Sequence, residues 1–519
     1  MPPGAGHLRN EHVAGVLWTV AQYVRALYAD RSEPFWRIAV NEEDIIALLL
    51  AALLHDIGHV AFGHYVEEME GLVKGRTHVD YVLRVLGRSG SAGTDADVKF
   101  VYDDAAQRDH ASIGKEIVKA WGIPEQRLGE FLAHVAEILR PLDDGNESSD
   151  AAADPKGRLD PERTKRIKVA ILHSIIDSAI DADKLDYLFR DAHHCGVHYS
   201  EGIDVDRFYQ SLTAIPDLSE YRAWARKKGD EGSRPGASIG VTDKGLLPVE
   251  SMLVARYQMF SCVYWHHTAR AYTAMLQFLI LSYLEIAKPL ETEKRLEDLI
   301  RWFRESNDEG ALLWLRDELV GGLSGERRMM FTNIAEGMLG QNRQLRYRSA
   351  FELQYETGSG GLARETYDGL MSLSRRAAGA QSPAIYVDFC RSLRQTFAES
   401  LSLQIRKKTG KNIVFADGEV LIDIPPAGKD QVDNVFVNTR GKVRPVEELS
   451  PLSDAVRGAF RYWVRKCRVF LGPSAWEKCD ELDLSKEALW DACFAALKDK
   501  IVLQLELPFG MDTEKDTQG

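Results

Sequence analysis

The sequence predicts a mainly α-helical protein that ends in an α+β region. Apolar residues recur with the helical period over roughly the first 300 positions. The alternation typical of strands comes only near the C-terminus, in "VLIDIPP" (420–426) and "NVFVNTRGKVRPVEEL" (434–449). All 14 histidines lie between His7 and His267. Because histidine binds metals and titrates near neutral pH, we expect the functional site in the first half of the chain.

The helical period predicts individual helices in the first half of the chain. Their expected ranges are 9–27, 43–56, 78–86, 113–121, 125–139 and 164–189, and a long, largely helical segment is expected over 250–284. A short hairpin is expected near 237–249.

The same patterns predict a division into domains. We expect a first domain at 1–290, a helical extension at 291–375, an α+β domain at 376–507 and a disordered tail at 508–519. Polar, glycine- and serine-rich stretches predict insertions into the first domain at about 87–109 and about 142–160.

Composition narrows the class of protein. The net charge of −13 gives no general basic surface for nucleic acid, so an anionic substrate needs local positive charge. The six cysteines form no CxxC pair, which argues against a disulfide framework and fits a reducing compartment. The longest apolar run, 45–54, is too short to span a bilayer, and no secretory signal is visible. We expect a cytoplasmic protein without membrane association.

The stretch "LLHDIGHVAFGH" (53–64) places His55 and Asp56 at the end of an apolar helix. A buried carboxylate without a partner is costly, and a divalent cation removes that cost. For an HD dipeptide alone, a capped helix end would be the better interpretation.

Two further segments offer ligands for the same cation. "GHLRNEHVAGV" (6–16) contains His7 and His12. "IDADKLDYLFRDAHHCGV" (180–197) contains four aspartates, and helical spacing puts Asp183, Tyr187 and Asp191 in one stripe. A solvated helix face could explain some of these acids.

Four stretches together resemble the dNTP triphosphohydrolases, a family of HD-domain phosphohydrolases. "PGAGHLRNEH" is similar to the family's PGATHTRFEH, "LLHDIGHVAFGH" to LLHDxGHxPFSH, and "DADKLDYLFRDAHHCGV" to DVDKxDYxxRDxxxxG. "ARYQMFSCVYWHH" (255–267) resembles a helix that contacts the triphosphate. The resemblance covers most of the chain. It implies an HD-domain helical core at 1–290, a homo-oligomer, dNTP as substrate, and a nucleotide as an allosteric effector.

The resemblance also implies a metal site. Its ligands would be two imidazoles and two carboxylates, His12, His55, Asp56 and Asp183. One divalent ion would bind there, with Fe, Mn, Ni, Zn and Mg all compatible, and a second Mg²⁺ could enter with the substrate.

Six positions match substrate contacts of the family. Those at the phosphates are Arg9, Lys184, Tyr187 and Arg256, and those at the sugar are Asp191 and Tyr264. Asp191 would accept from the 3′-hydroxyl, and Tyr264 would exclude a 2′-hydroxyl. The structural alternatives are an exposed helix arginine, a helix-end acid and a core aromatic residue.

Histidines matching the family's catalytic positions complete the expected site. We assign His64 as the general acid and His59 as a phosphate contact, the alternative being that both cap a turn. A further active-site histidine is His78 or, alternatively, His110, and its paired acid is Glu67.

Three departures from the family leave the preferred base open. The family's upstream base-contacting segment has no counterpart, Trp265 stands where some relatives have glutamine, and Ala61 replaces a proline. Two rival functions follow: an HD phosphohydrolase for nucleoside monophosphates or nucleic-acid ends, and a non-catalytic nucleotide-binding regulatory protein.

Overall fold

The structure is a computed structural model of the 519-residue chain. It describes residues 6–86, 115–140, 161–219, 221, 236–286, 291–340, 342–355, 361–426 and 435–504. The expected insertions, the expected tail and His110 lie outside these residues.

Helices dominate the described residues, which confirms the expected fold class. In chain order from α1 to α21 they are Arg9–Ala29, Phe35–Ala39, Glu42–Leu54, His64–Glu67, Glu70–Val73, His78–Val85, Leu128–Leu139, Pro161–Ile176, Ala182–Cys195, Val205–Ser211, Leu246–Met259, His267–Glu285, Thr292–Glu305, Asp308–Val320, Gly325–Met338, Gly361–Ala378, Pro383–Thr409, Val446–Leu449, Pro451–Ala459, Pro473–Glu481 and Lys486–Gln504. Residues 115–120 are also helical, and Phe260–Tyr264 and Phe460–Val464 are π-helical.

Among the described residues, seven strands form two small sheets. In chain order from β1 to β7 they are Leu212–Ile215, Ser238–Thr242, Arg348–Gln354, Val420–Asp423, Phe436–Thr439, Lys442–Pro445 and Lys466–Leu471. One sheet has the order β1-β2-β5-β6, and the other has the order β3-β7-β4.

The chain divides into two compact units. The first unit comprises 1–59, 75–264 and 431–459, and the second comprises 60–74, 265–430 and 460–519. Each unit therefore combines segments that are distant in sequence. The expected boundaries at 290 and 375 do not coincide with this division, and the domain organisation stays a prediction.

The first unit has its own core and sheet. Its core includes apolar residues from α1 to α3, from α6 to α11 and from strands β1, β2 and β5. Strand β2 runs parallel to β5, with Val241 opposite Val437. The expected turn "TRGK" joins β5 to β6, and Arg440 and Gly441 both have positive φ, as a tight hairpin turn requires.

The second unit packs long helices beside a three-stranded sheet. Strand β7 is central and runs antiparallel to both β3 and β4. Buried residues of α12 to α15 form one apolar cluster, and those of α16, α17, α20 and α21 contribute to another.

Two expectations about elements were wrong. The range 164–189 is two helices, because Asp181 accepts hydrogen bonds from the backbone N–H of Ser178 and of Lys184 and so begins α9. The range 237–249 contains strand β2, a 3-10 turn at Asp243–Gly245 and the start of α11, and β2 pairs with β1 instead of forming a hairpin of its own. Among the described residues, no helix is both long and apolar enough to cross a membrane.

Candidate metal centre

Three elements of the first unit bring the expected ligands together. Helix α1 provides His12, the end of α3 provides His55 and Asp56, and the first turn of α9 provides Asp183. Helix α3 is mostly buried along its apolar run, and a capping box between Asn41 and Asp44 fixes its start. Its C-terminal end is thereby fixed in the core, next to α1 and α9.

The four side chains converge within a few ångströms. Nε2 of His12 lies 2.9 Å from Oδ1 of Asp183 and 3.8 Å from Oδ2 of Asp56. Nε2 of His55 lies 3.5 Å from Oδ1 of Asp56 and 3.8 Å from Oδ1 of Asp183. The donor atoms of His12, His55 and Asp183 all lie within 4.8 Å of one another.

The hydrogen bonds of His55 indicate that these residues fit a cation. Its Nδ1 lies 2.8 Å from the carbonyl oxygen of Ala52, so Nδ1 bears the proton and donates it. Its Nε2 is buried and has no hydrogen-bond partner among the described residues. A buried lone pair directed at two carboxylates is the arrangement that a divalent ion completes.

The electrostatic environment of the expected ligands favours a bound cation. Burial alone would raise the pKa of Asp183 and of Asp56. Hydrogen bonds and positive charge from the histidines outweigh this effect of burial, so the pKa of each carboxyl lies well below its usual range. Burial lowers the pKa of His12, but its contacts with Asp183 and Asp186 raise it to about 10. A proton and a metal ion therefore compete for Nε2 of His12.

Two expected active-site histidines lie side by side in the first unit. The rings of His59 and His78 stack at 3.9 Å, and Nε2 of His59 lies 3.2 Å from Oδ1 of Asp56. Gly58 makes this possible, because a Cβ there would lie 2.0 Å from the carbonyl oxygen of His78. Gly58 follows the end of α3 and allows this close backbone approach.

The other two expected catalytic residues belong to the second unit. Helix α4 provides both, and Nδ1 of His64 lies 3.2 Å from Oε2 of Glu67. The His64 side chain is 64% exposed and that of Glu67 is 17% exposed. His64 thus has an acidic partner on its own helix.

The expected phosphate-binding residues also belong to the first unit. Burial raises the pKa of Tyr187, and the nearby cations of Arg256 and Lys184 oppose that rise. Lys184 also donates to Oδ2 of the buried Asp181 at 2.7 Å. Arg9 donates to the carbonyl oxygen of His59 at 3.2 Å.

A hydrogen-bonded group surrounds the expected sugar-binding residues. The Tyr264 hydroxyl donates to Oδ2 of Asp191 at 2.5 Å, and Nε2 of His7 lies 3.0 Å from its Oδ1. Tyr264 ends the π-helical turn, and its ring packs edge-on against Tyr187. Asp191 and Tyr264 are therefore partners of each other and are not isolated core residues.

Sequence reasoning missed the contacts of three residues in this region. Asp186 contacts the second ring nitrogen of His12, Asp181 caps α9 and binds Lys184, and His7 contacts Asp191. The capping residue had a local signal, because an aspartate preceding a helix is a common N-cap. The contacts of Asp186 and His7 join distant segments and have no local pattern.

Comparison with known proteins shows two family matches. Residues 9–188 match the HD domain, and residues 236–309 match the HD-associated region. The first match spans the segments that provide His12, His55, Asp56 and Asp183.

Curated relatives share modest identity with this chain. The uncharacterized protein MJ1154 of Methanocaldococcus jannaschii is 24% identical over 283 residues, 54% of this chain and 41% of the relative. The uncharacterized protein YwfO of Bacillus subtilis is 25% identical over 299 residues, 56% of this chain and 47% of the relative. The human deoxynucleoside triphosphate triphosphohydrolase SAMHD1 is 28% identical over 236 residues, 44% of this chain and 32% of the relative. The chain thus spans about a third to a half of these relatives' length.

A solved phosphohydrolase structure from Bacteroides thetaiotaomicron is also similar. It covers 91% of this chain and 88% of its own, with a TM-score of 0.48 and 17% identity.

Proposed function

We propose that this chain, which contains an HD domain and an HD-associated region, is a metal-dependent phosphohydrolase that converts dNTPs into deoxynucleosides and inorganic triphosphate. The observation that most supports the metal site is the meeting of His12, His55 and Asp183 within 4.8 Å. The dNTP substrate is supported by the motifs at 3–12, 53–64, 181–197 and 255–267, and by the alignment with human SAMHD1.

The proposed ligands are His12, His55, Asp56 and Asp183. A divalent ion bound there supplies Lewis-acid chemistry, which polarises a phosphate oxygen and makes a water more acidic. The two imidazoles and two carboxylates leave the set close to neutral when a dication binds, so the polyanionic substrate is not repelled.

Phosphate recognition is assigned to Arg9, Lys184, Tyr187 and Arg256. A protein with a net charge of −13 needs such local donors to bind a triphosphate. Arg256 offers a planar fork of N–H donors and Lys184 a point charge. Tyr187 donates through a hydroxyl that burial keeps protonated.

The proposed reaction transfers the α-phosphoryl group from the 5′-oxygen to water. A bond forms from the water oxygen to the α-phosphorus, and the water loses a proton to solvent. The bond from that phosphorus to the 5′-oxygen breaks, and the departing oxygen takes a proton. We assign that proton to His64 and phosphate contacts to His59. Glu67 is the predicted paired acid of the further active-site histidine, and in the structure it contacts His64. His78, stacked on His59, orients that ring. His110 stays the alternative to His78.

Asp191 is proposed to accept from the 3′-hydroxyl, and the Tyr264 ring to exclude a 2′-hydroxyl. From the resemblance we also propose a homo-oligomer and regulation by a bound nucleotide, and from the cysteine usage we propose a cytoplasmic location. Light scattering tests the first of these, because a monomer at micromolar concentration would contradict it.

Product analysis tests the function directly. The protein is incubated with each dNTP in Mn²⁺, Co²⁺, Fe²⁺ and Mg²⁺ in turn, and the products are separated by anion-exchange chromatography. Deoxynucleoside with inorganic triphosphate is the expected result. Orthophosphate from nucleoside monophosphates would instead support the broader HD phosphohydrolase, and tight nucleotide binding without turnover in any metal would support a regulatory protein.

A further inference from the structure

We infer that Asp186 and Arg190 are a positioning pair that orients His12 toward the cation, and that Gly15 provides the space they need. The inference rests on the metal site of the proposed function. It concerns metal affinity and does not depend on which phosphate ester is hydrolysed.

The two ring nitrogens of His12 face different carboxylates. Nε2 lies 2.9 Å from Oδ1 of Asp183, and Nδ1 lies 2.7 Å from Oδ2 of Asp186. Because the Asp186 carboxylate only accepts, its contact places a proton on Nδ1. Nε2 is then the ring nitrogen available to the cation, on the side of Asp183 and Asp56.

Arg190 fixes the carboxylate of Asp186. Its Nε donates to Oδ2 at 2.9 Å and its Nη2 donates to Oδ1 at 2.9 Å, so the guanidinium binds the carboxylate in a two-pronged arrangement. The Asp186 side chain is 9% exposed, which keeps water from competing for it. Oδ2 therefore has a set position toward the imidazole and does not rotate away.

Helix α9 thus provides both a ligand and the group that orients another ligand. Asp183 and Asp186 lie one turn apart on this helix, which packs beside α1. An ordinary surface pair four residues apart would leave Asp186 bound to Arg190 alone. The 2.7 Å contact with His12, 174 residues away in sequence, distinguishes the present arrangement from such a pair.

Gly15 is the position on α1 where the pair meets the helix backbone. A Cβ at residue 15 would lie 1.9 Å from Oδ1 of Asp186 and 2.2 Å from Nη2 of Arg190. Any side chain there would displace the Asp186–Arg190 pair. His55 has no such dependence, because the backbone carbonyl of Ala52 orients it.

Calorimetric titration of the full chain with Mn²⁺ alone tests the inference. We expect Asp186→Asn to weaken Mn²⁺ binding by about 10- to 100-fold, because the amide has no charge and its NH2 group would face an N–H donor of Arg190 or His12 in place of an acceptor oxygen. Arg190→Lys should give a smaller loss, because an ammonium lacks the fork. Glu201→Gln is the matched control, since it removes a carboxylate from Nδ1 of the exposed His198 and should leave the affinity unchanged.

A double-mutant cycle separates positioning from a general structural role. Once His12→Ala has removed the ring, adding Asp186→Asn should weaken Mn²⁺ binding little further. An unchanged affinity in folded Asp186→Asn, or an equal loss with and without His12, would overturn the inference. If Asp186→Asn does not fold, an unchanged affinity in Arg190→Lys would do so.

The outcomes also distinguish this inference from the proposed function. A wild-type protein that binds no divalent metal would remove both. A wild-type protein that binds Mn²⁺ with the expected dependence on Asp186, yet hydrolyses no dNTP, would contradict the proposed substrate and leave the positioning pair intact.

Discussion

Oδ1 of Asp183 lies 2.9 Å from Nε2 of His12. The contact joins the first turn of α9 to the start of α1, and the end of α3 brings His55 to the same point. Three helices thus contribute to one largely buried polar cluster. Such a cluster is costly to bury unless a cation compensates it.

Replacing Asp183 should remove the bound metal. Asp183→Ala takes away a carboxylate that both imidazoles face, so we expect Mn²⁺ affinity to fall at least about 100-fold and turnover to be lost. Elemental analysis after gel filtration measures the metal content. Asp206→Ala removes an exposed acid from α10 and serves as the control; retained turnover in Asp183→Ala would disprove the site assignment.

Metal binding should strengthen as the pH rises. The pKa of His12 is raised to about 10, so below that pH the cation must displace a proton from the ring. Apparent Mn²⁺ affinity should rise about tenfold per pH unit up to about pH 10. Titrations in buffers of different ionisation enthalpy count the released protons, and His12→Gln should release fewer. A pH-independent affinity would contradict the prediction.

The stability of the protein in EDTA should show the opposite trend. A histidine whose folded pKa exceeds its ordinary 6.5 stabilises the fold fully below about pH 6.5, and that contribution is lost as the pH rises to about 10. The difference in melting temperature between wild type and His12→Gln should therefore shrink over this range. A difference in melting temperature that grows with pH would contradict the predicted loss of the His12 contribution to stability.

Gly15→Ala should destabilise the protein although alanine favours helices. The added methyl would overlap Asp186 and Arg190, a strain of about 1–3 kcal/mol. Gly129→Ala is the matched control, since nothing lies within 4 Å of that Cβ position on α7 and about 0.5 kcal/mol of stabilisation is expected. Thermal unfolding measures the stability of both variants. Equal shifts in melting temperature would exclude the close approach of Gly15 to Asp186 and Arg190.

Two substitutions of Tyr264 should distinguish the role of its ring from the role of its hydroxyl. Tyr264→Phe removes the 2.5 Å hydrogen bond to Asp191 but keeps the ring, so KM should rise while discrimination against ribonucleotides persists. Tyr264→Ala removes the ring and should lose that discrimination. Comparing kcat/KM for dNTP and NTP pairs measures the effect, and discrimination retained in Tyr264→Ala would contradict the proposed role.

The second unit contains a buried charge cluster that should matter for stability. Arg270 donates to Asp423 and to Glu68, and all three side chains are at most 4% exposed. Arg270→Ala removes the cation that two buried carboxylates face and should cost about 3–5 kcal/mol. Arg301→Ala, which breaks an exposed pair with Asp298, should cost less than about 1 kcal/mol. Similar losses in thermal unfolding would contradict this ranking.

Local patterns explain which helices could be predicted from the sequence. The apolar period of α1 and α3 is continuous, so their ranges follow within about two residues. The period also continues through 164–189, and only the hydrogen bonds of Asp181 divide that range. The pairing of β2 with β5 depends on residues far apart in sequence and has no local signal.

In the candidate site, too, local motifs were predictable and contacts between distant residues were not. The motifs at 6–16, 53–64 and 180–197 predict that His12, His55 and Asp183 meet, and their donor atoms do lie together. From the sequence, Asp186 could be interpreted as part of a solvated helix face. Its contact with His12 could not be predicted, because the two residues are 174 positions apart. The roles assigned to His64, Glu67, His78 and His110 stay predictions.

Diffraction from Mn²⁺-soaked crystals at the manganese absorption edge tests the metal centre most directly. We predict one strong anomalous peak bound by Nε2 of His12, Nε2 of His55 and carboxylate oxygens of Asp56 and Asp183. A map with no peak there, or with the metal bound by other residues while these four side chains contact only one another, would contradict the proposed centre and the hydrolase function that depends on it.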